Sequence, residues 1–169
     1  TVGSLNGSFL TFLVAGGIHE GRDTVLFLDP GFPVHRQQAR VLGLEARGID
    51  VAEARGEALE SAIEEQCRDG RVAALLYSNP NNPSWMCLDE RELERIARVA
   101  RKHDILVMED LAYFAMDFRA DLGRPGAPPF QPTVAHYADD YVVLVSSSKA
   151  FSYAGQRVGM VVVSDALFN

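Results

Sequence analysis

A chain of 169 residues is long enough to bury the core of one ordinary domain without disulfides or a metal. Its 47% hydrophobic and 23% charged residues exclude a disordered chain, and no apolar run reaches the roughly 18 residues that span a membrane. The net charge of -7 argues against broad binding to nucleic acid or anionic membranes, because phosphate-rich partners would be repelled.

The first half of the chain alternates helical and strand-like patterns. Helices are predicted over 5–16 and 33–46, with a strand over 24–30 between them, where the run TVLFLDP is apolar without strict alternation. A weaker strand is predicted over 48–54, followed by a helix over 57–67. This alternation is typical of α/β units with right-handed crossovers.

Four further apolar runs along the rest of the chain predict strands, over 72–78, 105–111, 141–148 and 158–164. None of these runs alternates strictly, which is typical of strands covered on both faces and favours a mainly parallel sheet.

A long amphipathic pattern separates the first two of these strands. The stretch LDERELERIARVARKHD predicts a helix, and Asp89 followed by Glu92 predicts a capping box at its start. The segment 117–133 contains four prolines and two glycines and is predicted to be a loop.

Polar and aromatic residues follow the predicted strands at the points where the strands end. In open α/β sheets, ligands bind outside these carboxyl ends. The segments to inspect are Asp29 to Phe32, Asn79 to Pro83, Asp110 with Tyr113, and Ser146 to Lys149.

Asp110 and Lys149 are the most suggestive of these residues. A buried carboxylate is costly to ionise unless a cation or donors face it, so Asp110 is expected to have a positive partner or a functional task. A helix cap or a surface turn would also accommodate Asp110 and Tyr113. Lys149 follows a buried strand among small residues, which favours a partly desolvated amine with a lowered pKa over an ordinary surface lysine. Such an amine can attack a carbonyl carbon.

Residues that suit an anion surround this lysine in the sequence. Ser146, Ser148 and Arg157 bring hydroxyls and a guanidinium, and the turn GSLNG at 3–7 opens a predicted helix. Backbone amides at a helix start, hydroxyls and a guanidinium together suit a phosphate dianion. Alone, the arginine would be interpreted as a surface residue and the glycine turn as a weak signal.

A phosphate clamp, a lysine nucleophile, a carboxylate counter-charge and a stacking ring together match pyridoxal 5'-phosphate. The matching stretches are DPGFP, NPNNPS, DLAY and SSSKAFSYAGQRVG. Through them the sequence resembles the fold-type I pyridoxal-phosphate enzymes, specifically the class I/II aminotransferases. The resemblance implies a three-layer α/β/α fold, with a mainly parallel sheet and an antiparallel last strand. Residues 1–169 would be the cofactor-binding large domain.

The resemblance also implies roles around the cofactor ring. Lys149 would form the internal aldimine and later transfer protons as acid and base. Asp110 would pair with the pyridine nitrogen and keep it protonated, so that the ring accepts electrons. Tyr113 and Asn82 would hydrogen-bond the phenolic oxygen of the ring. Phe32 would stack on its face, although a plain core aromatic is the alternative.

The phosphate group has its own expected ligands. The resemblance implies that Ser146 and Arg157 bind it, joined by the backbone amides of Ser4 and Leu5 in the opening turn. Ser148 is a further candidate.

The sequence departs from the family pattern in two ways. After the asparagine loop the family continues Thr-Gly, but here Ser84 and Trp85 follow, so we expect the positive φ of glycine to be lost and a bulky indole to alter the loop or the substrate mouth. The family's small domain and N-terminal segment are expected to lie outside residues 1–169. Residues 1–169 therefore do not predict which amino acid is the substrate.

The predicted function is an aminotransferase that moves an amino group between an amino acid and a 2-oxo acid, as a homodimer. Alternatives are a C–S β-lyase with the same cofactor, a non-enzymatic aminotransferase-like sensor domain of a regulator, and a truncated chain that binds cofactor weakly and turns over nothing.

The cysteines and histidines give no sign of a metal site. Cys67 and Cys87 lack a CxxC spacing, so we expect reduced thiols in a cytoplasmic protein, with a disulfide as the alternative. The histidines lack metal-ligand spacing and are interpreted as ordinary core or surface residues: His19, His35, His103 and His136.

Overall fold

A computed structural model of the chain describes residues 1–118 and 131–168. The predicted loop over 117–133 lies mostly outside these described residues. The strands are β1 (Thr24–Asp29), β2 (Glu45–Asp50), β3 (Val72–Ser78), β4 (Leu106–Leu111), β5 (Tyr141–Ser146) and β6 (Gly159–Val163). The helices are α1 (Ser4–Ile18), α2 (Pro33–Val41), α3 (Glu57–Cys67), α4 (Glu90–His103) and the short α5 (Ser147–Ala150) and α6 (Asp165–Phe168), with 3₁₀ turns at Val134–His136 and Ala154–Gln156.

The six strands form one sheet in the order β2-β1-β3-β4-β5-β6. The first five are parallel to one another, and β6 runs antiparallel to β5. Every residue of β3 is buried, as expected for a central strand covered on both faces. The predicted mainly parallel sheet with an antiparallel last strand is confirmed.

Helices cover both faces of the sheet. Because side chains alternate along a strand, Leu75 and Tyr77 face one side while Ala74 and Leu76 face the other. The first side packs against α3 and α4, and the second against α1 and α2. The predicted three-layer arrangement is therefore confirmed. Within residues 1–118 and 131–168, no helix combines the length and apolar character needed to cross a membrane.

Two predicted boundaries are wrong where long-range pairing overrides the local pattern. The helix predicted over 33–46 ends at Val41, because Gly43 turns the chain with a φ of 79° and Glu45 already pairs with Thr24 of β1. The strand predicted over 48–54 accordingly runs over Glu45–Asp50.

The strand predicted over 141–148 is also shorter than expected. It stops at Ser146, whose hydroxyl accepts a hydrogen bond from the backbone N–H of Ser148 and so starts a helical turn. This turn carries Lys149, which therefore sits just beyond the carboxyl end of β5.

The predicted capping box at the start of α4 is confirmed. The Asp89 side chain accepts from the Glu92 N–H, and Glu92 Oε2 accepts from the Asp89 N–H. Glu92 also accepts from Arg55 Nε at 2.6 Å and from the Gly56 N–H at 3.0 Å. Burial alone would raise the pKa of Glu92, but these donors hold it below its usual value. The network ties the segment before α3 to the start of α4.

Replacing Glu92 with Gln is expected to lower the free energy of unfolding by about 2–3 kcal/mol, because a charge-assisted pair is lost in a buried setting. Urea denaturation at pH 7 measures the change. Glu94→Gln is the matched control, since Glu94 lies exposed on the same helix and should change stability by less than about 0.5 kcal/mol. Equal effects of the two substitutions would contradict the stabilising role of the Glu92 network.

Candidate functional site

A cavity of about 260 Å³ opens beyond the carboxyl ends of β3, β4 and β5. This is the edge where parallel α/β sheets bind ligands. Its lining includes all ten residues predicted for the site: Ser4, Leu5, Phe32, Asn82, Asp110, Tyr113, Ser146, Ser148, Lys149 and Arg157. The sequence did not single out three other lining residues, Ser78, Ala112 and Ala154.

Asp110 lies at the buried end of the cavity, with 5% of its surface exposed. Burial raises the pKa of its carboxyl group to about 7, and a hydrogen bond from the Ala112 N–H to Oδ1, at 3.0 Å, opposes that rise. Among the described residues this is the one hydrogen bond that the carboxyl group accepts. The anion is therefore short of partners, and a cation placed beside it would be strongly favoured.

His35 is a titratable neighbour of this carboxyl group. Its Nε2 lies 3.4 Å from Asp110 Oδ2 but forms no hydrogen bond within the described chain. Burial lowers the pKa of His35 to about 4, so the imidazole is neutral at pH 7 and does not supply the missing charge.

From the sequence we expected His35 to be an ordinary core or surface residue, but it lies beside Asp110. The available signal was its position three residues after Phe32, one turn along α2. The two rings meet edge to face, with centroids 5.7 Å apart.

Adjacent to Asp110, Glu109 points to the opposite face of the sheet and does not line the described cavity. It accepts hydrogen bonds from the Tyr77 hydroxyl at 3.1 Å, from the Val134 N–H at 3.2 Å and from the Thr133 hydroxyl. Burial raises the pKa of Glu109 to about 7. Its partners are all within the protein, so its role is to join β3, β4 and the 3₁₀ turn at Val134–His136.

Rings and an amide form the walls next to Asp110. Phe32, at the start of α2, and Tyr113, after β4, are both half-buried. Asn82 is held in the loop after β3 by its N–H, which donates to the Ser78 hydroxyl at 3.3 Å. Phe32 is thus not a plain core aromatic, and the walls suit a flat ring.

Lys149 stands at the rim of the cavity on α5. We expected a partly desolvated amine, but the side chain is exposed. The reason is that residues 151–158, which follow it, are themselves exposed and do not cover it. Within the part of the chain that the structure describes, its ammonium forms no ion pair.

The other end of the cavity suits an anion. The 15-residue helix α1 begins at Ser4, and its N-cap residue Gly3 supplies no side-chain hydrogen bond. The first amides of α1 are thereby available, at the positive end of the helix dipole. Arg157 Nη1 lies 3.4 Å from the Ser148 hydroxyl and donates to the Ala154 carbonyl at 3.0 Å.

Two glycines let these groups approach one another. A Cβ on Gly3, whose φ is 73°, would collide with Nη2 of Arg157. A Cβ on Gly159 would lie 2.6 Å from the carbonyl carbon of Gly3 and 2.9 Å from the Ser4 nitrogen. Glycine at both positions therefore brings the start of α1 against β6 and the guanidinium.

The backbone of the loop after β3 differs from our expectation. Trp85 keeps the positive φ that we expected to be lost with glycine, at 59°. The backbone conformation is held by hydrogen bonds of the loop itself, including Trp85 N–H to the Asn81 carbonyl at 3.0 Å and the Ser84 hydroxyl to Asn81 Oδ1 at 2.7 Å. A bulky residue pays on the order of 1–2 kcal/mol for this conformation.

The site as a whole fits a phosphorylated, aromatic, cationic ring that carries a group reactive toward amines. The anion end offers helix amides, hydroxyls and a guanidinium. The buried end offers a carboxyl group that has no cationic partner in the described part of the chain, next to His35 Nε2, which has no hydrogen-bond partner there either. Lys149 lines the same cavity at its rim and supplies a primary amine.

Comparisons with known proteins agree with this chemistry. A family model for class I and II aminotransferases matches residues 4–169. The chain is 31% identical over 170 residues to glutamate-pyruvate aminotransferase AlaC of Escherichia coli (strain K12), which covers 99% of this chain and 39% of that protein. It is 30% identical over 161 residues to LL-diaminopimelate aminotransferase of Gloeobacter violaceus, covering 94% of this chain and 38% of that protein.

A solved structure shares the fold. The crystal structure of an aminotransferase from Mycobacterium tuberculosis superposes with a TM-score of 0.78 at 23% identity, over 99% of this chain and 43% of that one.

The chain spans about two fifths of the length of the curated relatives that it matches. The family model covers all but the first three residues of the chain. The matched residues include the whole six-stranded sheet with its antiparallel β6. The chain belongs to the class I and II aminotransferase family.

Proposed function

We propose that this protein binds pyridoxal 5'-phosphate and transfers an amino group between an amino acid and a 2-oxo acid. The observation that carries the proposal is the poorly partnered carboxyl group of Asp110, buried beside a neutral His35 in the cavity that Lys149 lines. Bound pyridoxal phosphate supplies an electron sink for the bond broken at the substrate Cα.

The residues of the buried end bind and orient the ring. Asp110 pairs with the protonated ring nitrogen and so provides the counter-charge that the electron sink requires. Phe32 lies against the ring face, while Tyr113 and Asn82 donate hydrogen bonds to its phenolic oxygen. The cavity contact of all four residues supports these roles.

The residues of the anion end hold the phosphate group. Ser146 and Arg157, with the backbone amides of Ser4 and Leu5, neutralise and orient it, and Ser148 adds a further hydroxyl. The unobstructed start of α1 and the contact between Arg157 and Ser148 support this arrangement.

Lys149 has two tasks in the proposal. Its Nζ would hold the cofactor through the aldehyde carbon, with loss of water, and would give up that bond to an incoming substrate amine. The freed Nζ would then act as base and acid, accepting the proton from the substrate Cα and returning it. Its exposure at the rim leaves it room to be displaced and to return.

We further propose that residues 1–169 form the pyridoxal-phosphate-binding large domain, that two copies assemble as a homodimer, and that the protein works in the cytoplasm on amino acids and 2-oxo acids. Apolar side chains exposed on α1 support a partner surface: Leu10, Leu13, Val14 and Ile18. The two cysteines are buried thiols, as expected in a reducing compartment.

Lys149 is expected to be the lysine of this sequence that bonds to the cofactor. The protein, expressed at its natural length, is incubated with pyridoxal phosphate, reduced with borohydride and digested, and mass spectrometry locates the added mass. The label should appear on the peptide with Lys149, and Lys149→Ala should lack the absorption band of the lysine-bound cofactor.

Lys102 is the matched control, because it is the other lysine of residues 1–169 and pairs with Glu64 at 2.7 Å. Lys102→Ala should keep both the band and the label. Equal labelling of both lysines, or none on Lys149, would contradict the proposal.

Asp110 should make the cofactor-free protein less stable as pH rises from about 4 to about 7. Its pKa is raised in the fold, so the folded state binds the proton more tightly and loses that advantage as the carboxyl ionises. Relative to Asp110→Asn, the wild type should lose roughly 2–4 kcal/mol of unfolding free energy over this range. Urea denaturation at several pH values measures it.

Asp50 supplies the control for this titration. It ends strand β2 of the same sheet and accepts the same type of backbone hydrogen bond, from the Ala52 N–H at 2.8 Å, but it is exposed. Asp50→Asn should track the wild type. Adding pyridoxal phosphate should abolish the decline in the wild type, since the ring cation then pairs with Asp110. Identical pH profiles for wild type and Asp110→Asn would refute the role of burial.

Transamination is distinguished from elimination by following the nitrogen. With a ¹⁵N-labelled amino donor, the label should appear in a new amino acid formed from the added 2-oxo acid; glutamate and pyruvate are the first pair to try, because the name of the relative AlaC specifies them. Lys149→Ala should slow this transfer by about 10²–10⁴-fold. Release of pyruvate and ammonia from cysteine, with no transfer to any acceptor, would instead establish a C–S β-lyase.

A further inference from the structure

Trp85 has a strained backbone that burial does not explain. Its φ of 59° lies in the left-handed region, which is a rare conformation for a bulky side chain. The indole is 42% exposed, so it is not held there by a hydrophobic core. Strained backbone conformations cluster at binding and active sites, where the strain is often part of the function.

The indole is anchored in an aromatic cluster that reaches the cavity through Tyr113. Its ring meets the Tyr113 ring edge to face, with centroids 5.1 Å apart and planes at 70°. It also stacks on Phe118, with centroids 6.4 Å apart and planes at 11°. Of these three rings, Tyr113 alone is among the described residues that line the cavity. Trp85 therefore lies behind Tyr113.

Packing is what fixes the Tyr113 ring. Within residues 1–118 and 131–168, no side-chain hydrogen bond restrains the Tyr113 hydroxyl, and the ring is half-buried. The edge-to-face contact with Trp85 has the separation at which aromatic pairs attract each other. The direction of the Tyr113 phenol in the cavity consequently depends on the indole behind it.

We propose that Trp85 is a positioning residue that holds Tyr113 for its hydrogen bond to the cofactor. Through Tyr113, it sets the proton affinity of the link between Lys149 and the cofactor. This inference rests on the proposed function of Lys149 and Tyr113. It assigns the strained indole to tuning of the site.

The test is a pH titration of the absorption of the loaded protein at its natural length. Trp85→Gly removes the indole and also relieves the backbone strain, so it should bind cofactor and fold at least as stably as the wild type. The apparent pKa of the lysine-bound cofactor should nevertheless shift by about half a unit or more, the size expected when an aromatic contact that favours one protonation state is lost. Trp85→Phe, which keeps a ring, should recover most of the wild-type value.

A second readout does not depend on turnover or on the absorption band. Trp85 is the sole tryptophan of residues 1–169, so the emission lost in Trp85→Phe isolates its fluorescence. In the cofactor-free protein, Tyr113→Leu should change that emission, because the indole loses its neighbour. Added pyridoxal phosphate should quench it.

The outcomes separate this inference from the proposed function. An unshifted pKa in Trp85→Gly, with the absorption band intact, would overturn the positioning role and leave the role of Lys149 standing. Trp85 emission that ignores both Tyr113→Leu and the cofactor would overturn it as well. Absence of the band in the wild-type protein would defeat the proposed function itself.

Discussion

The carboxyl group of Asp110 is buried near the end of β4, with no positive charge beside it among residues 1–118 and 131–168, and the site is arranged around this uncompensated group. Its neighbour His35 is also buried and is neutral at pH 7, so it does not compensate a charge on the carboxyl group. A buried acid in this condition stays protonated or attracts a cation. The carboxyl group stays shielded from water because Asp110 belongs to a strand that is buried along its whole length.

The two ends of the cavity are built differently. The ring end consists of half-buried or buried residues on β4, at the start of α2 and in the loops after β3 and β4. The anion end combines the start of α1 with Arg157, in a segment where residues 151–158 are exposed. We therefore interpret the ring end as the part that determines chemistry, and the anion end as the part that captures the ligand by charge.

Much of this could be predicted from the sequence, and the failures have physical causes. Continuous apolar runs placed the central strands, and residues following those runs met at one cavity because parallel strands end at one edge. The limits of α2 and β2 depended on pairing with β1, which no local pattern contains. His35 and the retained φ of Trp85 also escaped prediction, since a buried contact and a loop held by its own hydrogen bonds appear only after folding.

The most direct test of the central claim is the protonation state of the ring nitrogen, read by ¹⁵N NMR of protein reconstituted with pyridoxal phosphate labelled at that atom. If Asp110 is a buried acid that pairs with a cationic ring, the ring nitrogen should be protonated at pH 7 and coupled to a slowly exchanging proton. A resonance of unprotonated nitrogen at pH 7 would contradict the account.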